Sequence, residues 1–236
     1  MAGAFPFYGR AELSDLLLRL HAPGSPVEEI RAHKIVLCLH SSLLRECLIE
    51  EGVSTLDVVE REPKAFKAML QFLYTSNYDY ETENLAAVNN FEPSEAPTSH
   101  VVAFHLGKKY GVPRLCKAAI AGIDQLFSNW NKRKSVNKDR GSLSIPVRKR
   151  WWIAKLKTTV SIHYMGPYVS GDYSKSEMGV AIARAAIFPH CLSDDDLVEL
   201  FALSPIFAID VVLALRYQAK NAGRRGEILG DGDDTT

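Results

Sequence analysis

Cysteine is scarce in this chain: Cys38, Cys47, Cys116 and Cys191 are the only four in 236 residues, and no two form a Cys-x-x-Cys pair. That pattern excludes a disulfide framework, and the apolar helical or strand settings of the four read as buried thiols in a reducing compartment. Net charge is missing as well, because 28 Lys and Arg balance 28 Asp and Glu. A neutral chain exerts no global attraction on nucleic acid or an anionic membrane, so any such partner has to act through a local patch. No apolar run approaches the roughly 20 residues needed to cross a bilayer, and the N-terminus has no basic region leading into an apolar one. Asn-x-Ser/Thr is absent too. The expectation is an intracellular chain, in nucleus or cytoplasm, without a membrane partner.

Sites for small-molecule chemistry are equally sparse. There is no Gly-x-x-x-x-Gly-Lys-Ser/Thr cradle, no Gly-x-Gly-x-x-Gly fingerprint and no Gly-x-Ser-x-Gly elbow, so neither a nucleotide cofactor nor a serine nucleophile has a place to sit. His33, Cys38 and His40 are metal-ligating types, but a structural zinc needs four converging donors and no fourth stands near them. Asp194, Asp195 and Asp196 suit a helix N-terminus, where the dipole favours negative charge. No catalytic residue, cofactor or metal is expected, and the protein reads as a non-enzyme.

What is present is the composition of a globular protein, 47% hydrophobic and 24% charged, with room for one large domain or two small ones. After Leu13 the residues read as a short apolar strand, the turn chemistry of Ala22-Pro-Gly-Ser-Pro26 follows, and Glu28 to Ala32 completes a hairpin. Ser41 is placed as the N-cap of a helix carrying Leu43, Leu44, Cys47 and Leu48, and Gly52 ends it. Ser54 to Val59 is rich in β-formers and supplies a third strand. Pro63 opens a helix whose Phe66, Met69, Leu70 and Leu73 form one apolar stripe. An acidic loop over 81–100 separates this from a second helical pair, in which Gly111 caps one member and Pro113 opens the next.

Three segments in this order resemble the BTB/POZ family. Ser14-Asp15-Leu16-Leu17-Leu18-Arg19-Leu20 is similar to its opening strand. Arg31-Ala-His33-Lys34-Ile-Val-Leu37 through Ser41 to Leu44 is similar to its His-Lys turn and following helix. Phe66 to Thr75, with Leu73-Tyr74-Thr75-Ser76, resembles its Leu-Tyr-Thr-Gly turn, with serine in place of the usual glycine. The resemblance implies an α+β BTB/POZ fold over 12–128, a small sheet capped by helices, and a structural role for Asp15, His33, Lys34, Leu37, Ser41, Phe66, Leu73 and Tyr74. It also implies binding to other proteins: self-association, or docking of a cullin ubiquitin-ligase scaffold near the helix Leu43 to Glu51. Leu44, Leu48, Ile49 and Glu50 are the candidate contacts there, an apolar anchor beside an orienting acid.

Beyond that region the chain changes character. Between Lys132 and Lys157 ten basic residues face one acid, Asp139. The runs Lys132-Arg133-Lys134 and Arg148-Lys149-Arg150 have the layout of a bipartite nuclear-import signal, and Trp151 and Trp152 offer rings for base stacking. The alternative is a solvated linker whose tryptophans anchor the next helix. The expected organisation is a segment 1–11, the BTB domain 12–128, a polar basic linker 129–148, a small helical domain 149–222 and a frayed acidic tail 223–236. In the helical domain Ser174 and Ser193 are read as caps. The helix after Pro205 is expected to be buried on most sides, because Asp210 is its only charge before Arg216. A BTB domain followed by helices alone resembles fungal single-BTB proteins. The function so indicated is protein–protein interaction, with the C-terminal helices recruiting a client; the alternative is a nuclear nucleic-acid-associated regulator using 132–157.

Overall fold

The structure is a computed structural model that describes residues 11–49, 52–78, 96–136, 145–166, 176–187 and 192–230, with the backbone alone described at 96, 127–136, 145–151 and 221–230. It contains two compact units, Met1–Ala121 and Gly122–Thr236. Together they make an α+β chain with three strands and nine helices among the described residues.

The first unit is organised by β1, Leu16–His21, whose Leu16, Leu18 and Leu20 are buried on one face while Arg19 points to solvent on the other. This period of two makes β1 the natural centre of a half-buried sheet. β2, Glu28–Ala32, returns antiparallel with Leu16 opposite Ala32 and Leu20 opposite Glu28. β3, Thr55–Val59, lies parallel to β1 on the other side, giving the order β2-β1-β3. A parallel return requires a crossover, which here is β2 followed by two short helices, α1 (Lys34–His40) and α2 (Ser42–Leu48). The hairpin, the third strand and the cap of α2 therefore match the reading of the sequence.

Ser41 does more than cap. Its hydroxyl accepts from the Leu44 N–H (3.1 Å) and donates to the carbonyl of Tyr110 (2.6 Å). The N–H groups of Ser42 and Leu43 donate to the carbonyls of Gly111 and Tyr110. The orphan donors at the start of α2 are thus satisfied by the turn between two later helices, α4 (Ala96–Lys109) and α5 (Pro113–Val136). Gly111 is required there twice over. Its φ is +62°, and a Cβ would stand 1.8 Å from the Ser42 hydroxyl. Beneath this turn the Tyr110 hydroxyl and Lys109 ammonium both donate to the buried Glu60 carboxylate. Burial and that bond push the phenol well above its ordinary range.

α3, Pro63–Thr75, buries Phe66, Met69, Leu70 and Leu73 and ends at Ser76 with φ +55°, its N–H donating to the Phe72 carbonyl at 2.8 Å. The segment 79–95 of the expected acidic loop lies outside the described residues, and residues 96–100, read as its end, are the first turn of α4.

The second unit is entirely helical among the described residues. It contains the end of α5, then α6 (Ile145–Met165), α7 (Glu177–Ile187), α8 (Asp194–Leu203) and α9 (Pro205–Gly230). The polar stretch 129–148, expected to be a linker, is helical over Asn129–Val136 and again from Ile145; residues 137–144 lie outside the described set. Basic composition does not exclude helix, because Lys and Arg are good helix formers. Of the expected tail, Gly223–Gly230 is helical backbone that continues α9, while 231–236 is not described. Ser193 closes the capping box with Asp196 as expected. For α7 the cap is Ser176, whose hydroxyl accepts from Gly179 N–H at 2.9 Å; Ser174 lies outside the described residues.

α7 approaches its neighbours through small residues. A Cβ at Gly179 would lie 2.1 Å from an Asp210 carboxylate oxygen and 2.6 Å from the Tyr164 hydroxyl. That hydroxyl donates to the Asp210 carboxylate, which is fully buried. Arg184 of α7 holds Asp124 of α5 through two bonds at 2.8 and 3.0 Å, and its guanidinium stands 5.8 Å from the Tyr217 ring. Burial raises the Asp124 carboxyl above its ordinary value, and Arg184 opposes that shift. The expectation that the helix after Pro205 is buried on most sides fails: Phe207, Asp210, Val211 and Ala214 face the core, but Ile209, Val212 and Leu215 are exposed.

Two substitutions test this packing. Ser76→Gly relieves the left-handed strain on a residue with a Cβ, so urea denaturation should show a gain of about 0.5–1 kcal/mol; a loss would mean the serine side chain contributes more than its backbone costs. Gly179→Ala should cost about 1–3 kcal/mol through overpacking against the Asp210 and Tyr164 pair. Tryptophan fluorescence reports this unit directly, since Trp130, Trp151 and Trp152 all follow Gly122.

Candidate protein-interaction surface

The junction of β2 and α1 is held by side chains far apart in sequence. The His33 N–H donates to the Tyr74 hydroxyl at 2.8 Å, and the His33 Nδ1 lies 3.0 Å from that same oxygen. Nε2 is 2.9 Å from the Glu12 carbonyl, which can only accept. A neutral ring must therefore carry its proton on Nε2 and receive the Tyr74 O–H at Nδ1. Next to it the Lys34 N–H donates to the Asp15 carboxylate at 2.8 Å, filling an open donor at the start of α1. Asp15, His33, Lys34 and Tyr74, singled out from the sequence, thus form one latch. Leu37, Ser41, Phe66 and Leu73 are buried core.

This latch fixes a small apolar surface. α1 turns Val36 and Leu37 inward and leaves Ile35 and Leu39, one turn apart, 72% and 60% exposed. The segment bonded to its N-terminus through Glu12 and Asp15 carries Leu13, 85% exposed and with φ +60°. An L-residue other than glycine, asparagine or aspartate seldom holds that backbone conformation. Ile35 and Leu39 one turn apart, with Leu13 on the segment bonded to the start of the same helix, make this junction the candidate surface. The sequence reading assigned no surface role to Ile35 and Leu39; in the seven-residue α1 Val36 and Leu37 are the residues turned inward. At the far end of α1 the imidazole of His40 titrates below its ordinary value, through burial and then the charge of Arg114.

The residues expected to dock a cullin separate into two groups. Leu44 and Leu48 are buried, so they support α2 and offer nothing to a partner, while Ile49 is 75% exposed. Glu50 lies outside the described residues. Cys47, expected to be buried, is exposed; Cys116 is buried, and Cys191 is not described.

The side chains of the basic runs Lys132-Arg133-Lys134 and Arg148-Lys149-Arg150 are not described, but both runs lie in helical backbone, in α5 and α6. Trp152 is buried and so anchors α6 instead of presenting a ring for stacking. Lys157 is engaged with Glu199. The nucleic-acid alternative finds no support. Among the described residues no cluster of three or more His, Cys, Asp or Glu is arranged to hold a metal, and no helix is long and apolar enough to cross a membrane.

Comparison with known proteins agrees with the order of motifs. The model of the BTB/POZ domain matches residues 7–91. BTB/POZ domain-containing protein 6-B of Danio rerio is 25% identical over 115 residues, 48% of this chain and 20% of that protein. The chain therefore spans about a fifth of the length of that curated relative. Among solved structures, the BTB domain of zebrafish PATZ1 matches with 22% identity and a TM-score of 0.34, over 50% of this chain and 79% of that one. The His33–Tyr74 latch, the three-stranded sheet and the family match over 7–91 lead to one conclusion: this chain carries a BTB/POZ domain, a protein-interaction module, in its N-terminal part.

Proposed function

We propose that the protein is a non-catalytic interaction protein that self-associates through the exposed face of α1 and recruits a client with its C-terminal helices. The observation that supports the first half is the exposure of Leu13, Ile35 and Leu39 on a junction whose backbone is locked by side-chain hydrogen bonds. A rigid apolar patch loses little conformational entropy on docking, so the burial of its surface is converted efficiently into affinity. A second copy is the simplest occupant, since a two-fold axis brings the same patch against itself and covers both at once. The 12–128 domain, the helical region after it and the neutral overall charge suit a scaffold that joins two proteins.

Docking of a cullin scaffold is the finer reading for the other end of the crossover. Ile49 supports it, standing 75% exposed where α2 ends. Leu44 and Leu48 are withdrawn from that role, so affinity would rest on Ile49 and its surroundings.

Two measurements decide these readings. Sedimentation of the full chain should give the mass of a dimer, and Ile35→Glu with Leu39→Glu should shift it to a monomer with unchanged circular dichroism; a monomeric wild type overturns self-association. Calorimetric titration with a cullin N-terminal domain should show binding of micromolar strength or tighter, about −8 kcal/mol, weakened by Ile49→Asp. Absence of binding by the folded wild type removes the ligase-adaptor reading.

A further inference from the structure

The exposed side of α9 has a composition unlike that of an ordinary solvated helix. From Pro205 to Leu215 its only charge is Asp210, and that residue is fully buried toward the core. The opposite face, read at the spacing i, i+3, i+7, i+11, runs Ile209, Val212, Arg216 and Lys220. Ile209 is 44% and Val212 49% exposed, and Arg216 and Lys220 are exposed as well. A helix face in water usually carries charge at such positions. Here two turns are apolar and the next two are cationic.

Among the described residues the cations have no acidic partner. No acid stands three or four positions from Arg216 or Lys220 along the helix, and neither makes an ion pair among the described residues. The repulsion of two like charges four residues apart on one helix is mildly destabilising. An apolar stripe leading into unpaired cations is complementary to a helix whose own apolar stripe leads into acids. A membrane surface fits less well. The other side of α9 is occupied by Phe207, Val211 and Ala214 in the protein core, and the apolar anchors Ile209 and Val212 are branched aliphatics without the Trp or Phe that settle at a lipid interface, while the exposed Tyr217 has its ring 5.8 Å from the Arg184 guanidinium.

We propose that the Ile209–Lys220 face of α9 is the client-binding surface, and that it takes an acidic amphipathic helix of a partner protein. Apolar contact at Ile209 and Val212 supplies the anchor, while Arg216 and Lys220 set orientation and select acids. The proposal rests on the reading that the C-terminal helices recruit a client, and it names where and by what chemistry.

The test uses the full chain as bait for a displayed library of amphipathic helical peptides with randomised charged positions. Enriched peptides should carry Asp or Glu beside an apolar stripe. They should bind Arg216→Glu, Lys220→Glu about tenfold more weakly, and lose binding to Ile209→Asp, Val212→Asp. Both variants alter exposed positions, and each is to melt as the wild type does by circular dichroism. Enrichment without acidic bias, or peptides that bind the variants as tightly as the wild type, overturns this face while leaving client recruitment elsewhere intact. If the wild type enriches no peptide, recruitment by these helices fails with it. Binding of phosphatidylserine-containing vesicles, lost in the same variants, would assign the face to a lipid surface and overturn the protein partner.

Discussion

The N-terminal unit depends on one exchange of hydrogen bonds, in which the Tyr74 hydroxyl receives the His33 N–H and returns its own proton to the His33 ring. Both groups are buried, so either one alone would carry the desolvation cost of an unmade bond. Made together, they fasten the end of the hairpin to the end of α3, 41 residues away. With Nδ1 accepting, Nε2 is obliged to donate, and it finds the Glu12 carbonyl. The chain before β1 is thereby pulled against the start of α1, where Asp15 fills the next open donor. Both ring nitrogens of His33 are thus engaged in hydrogen bonds, and the position of the exposed apolar surface follows from that.

The same logic recurs at the other end of the crossover. Ser41 joins α1 to α2 and at once bonds the turn at Tyr110, so a short helix that would be unstable alone is capped by a distant loop. Glu60, buried beneath, is acceptable only because a phenol and an ammonium both reach it. In the C-terminal unit the buried Asp210 plays the comparable part, with Tyr164 donating to it and Gly179 leaving the space. Each unit thus places a carboxylate in its interior with a tyrosine as donor, and each uses a glycine where helices meet most closely.

Much of the fold was legible. Leucine at every second position of β1, the Pro-Gly turn after it, Ser41 and Ser193 as caps and Pro63, Pro113 and Pro205 as helix starts are local signals, and local geometry obeys them. The latch residues were legible through the order of three short motifs. The contact surface was legible only in part. Leu44 and Leu48 were taken as contacts because hydrophobicity alone does not say which way a residue faces in a seven-residue helix. Ile35 and Leu39 were passed over for the same reason. Basic and glycine-rich composition was read as linker and tail, whereas helical backbone extends through Val136 and to Gly230.

By itself the sequence determined the three strands, the hairpin and most helix starts, because alternation, capping and turn chemistry act over a few residues, and the order of three motifs carried the resemblance to BTB/POZ. Only the tertiary structure decided which apolar side chains are core and which are surface, why the His33 Nε2 donates to the Glu12 carbonyl, and that the face of α9 bearing Ile209 and Arg216 is exposed. Those outcomes depend on partners tens of residues away, and burial is a property of what packs against a residue, not of the residue.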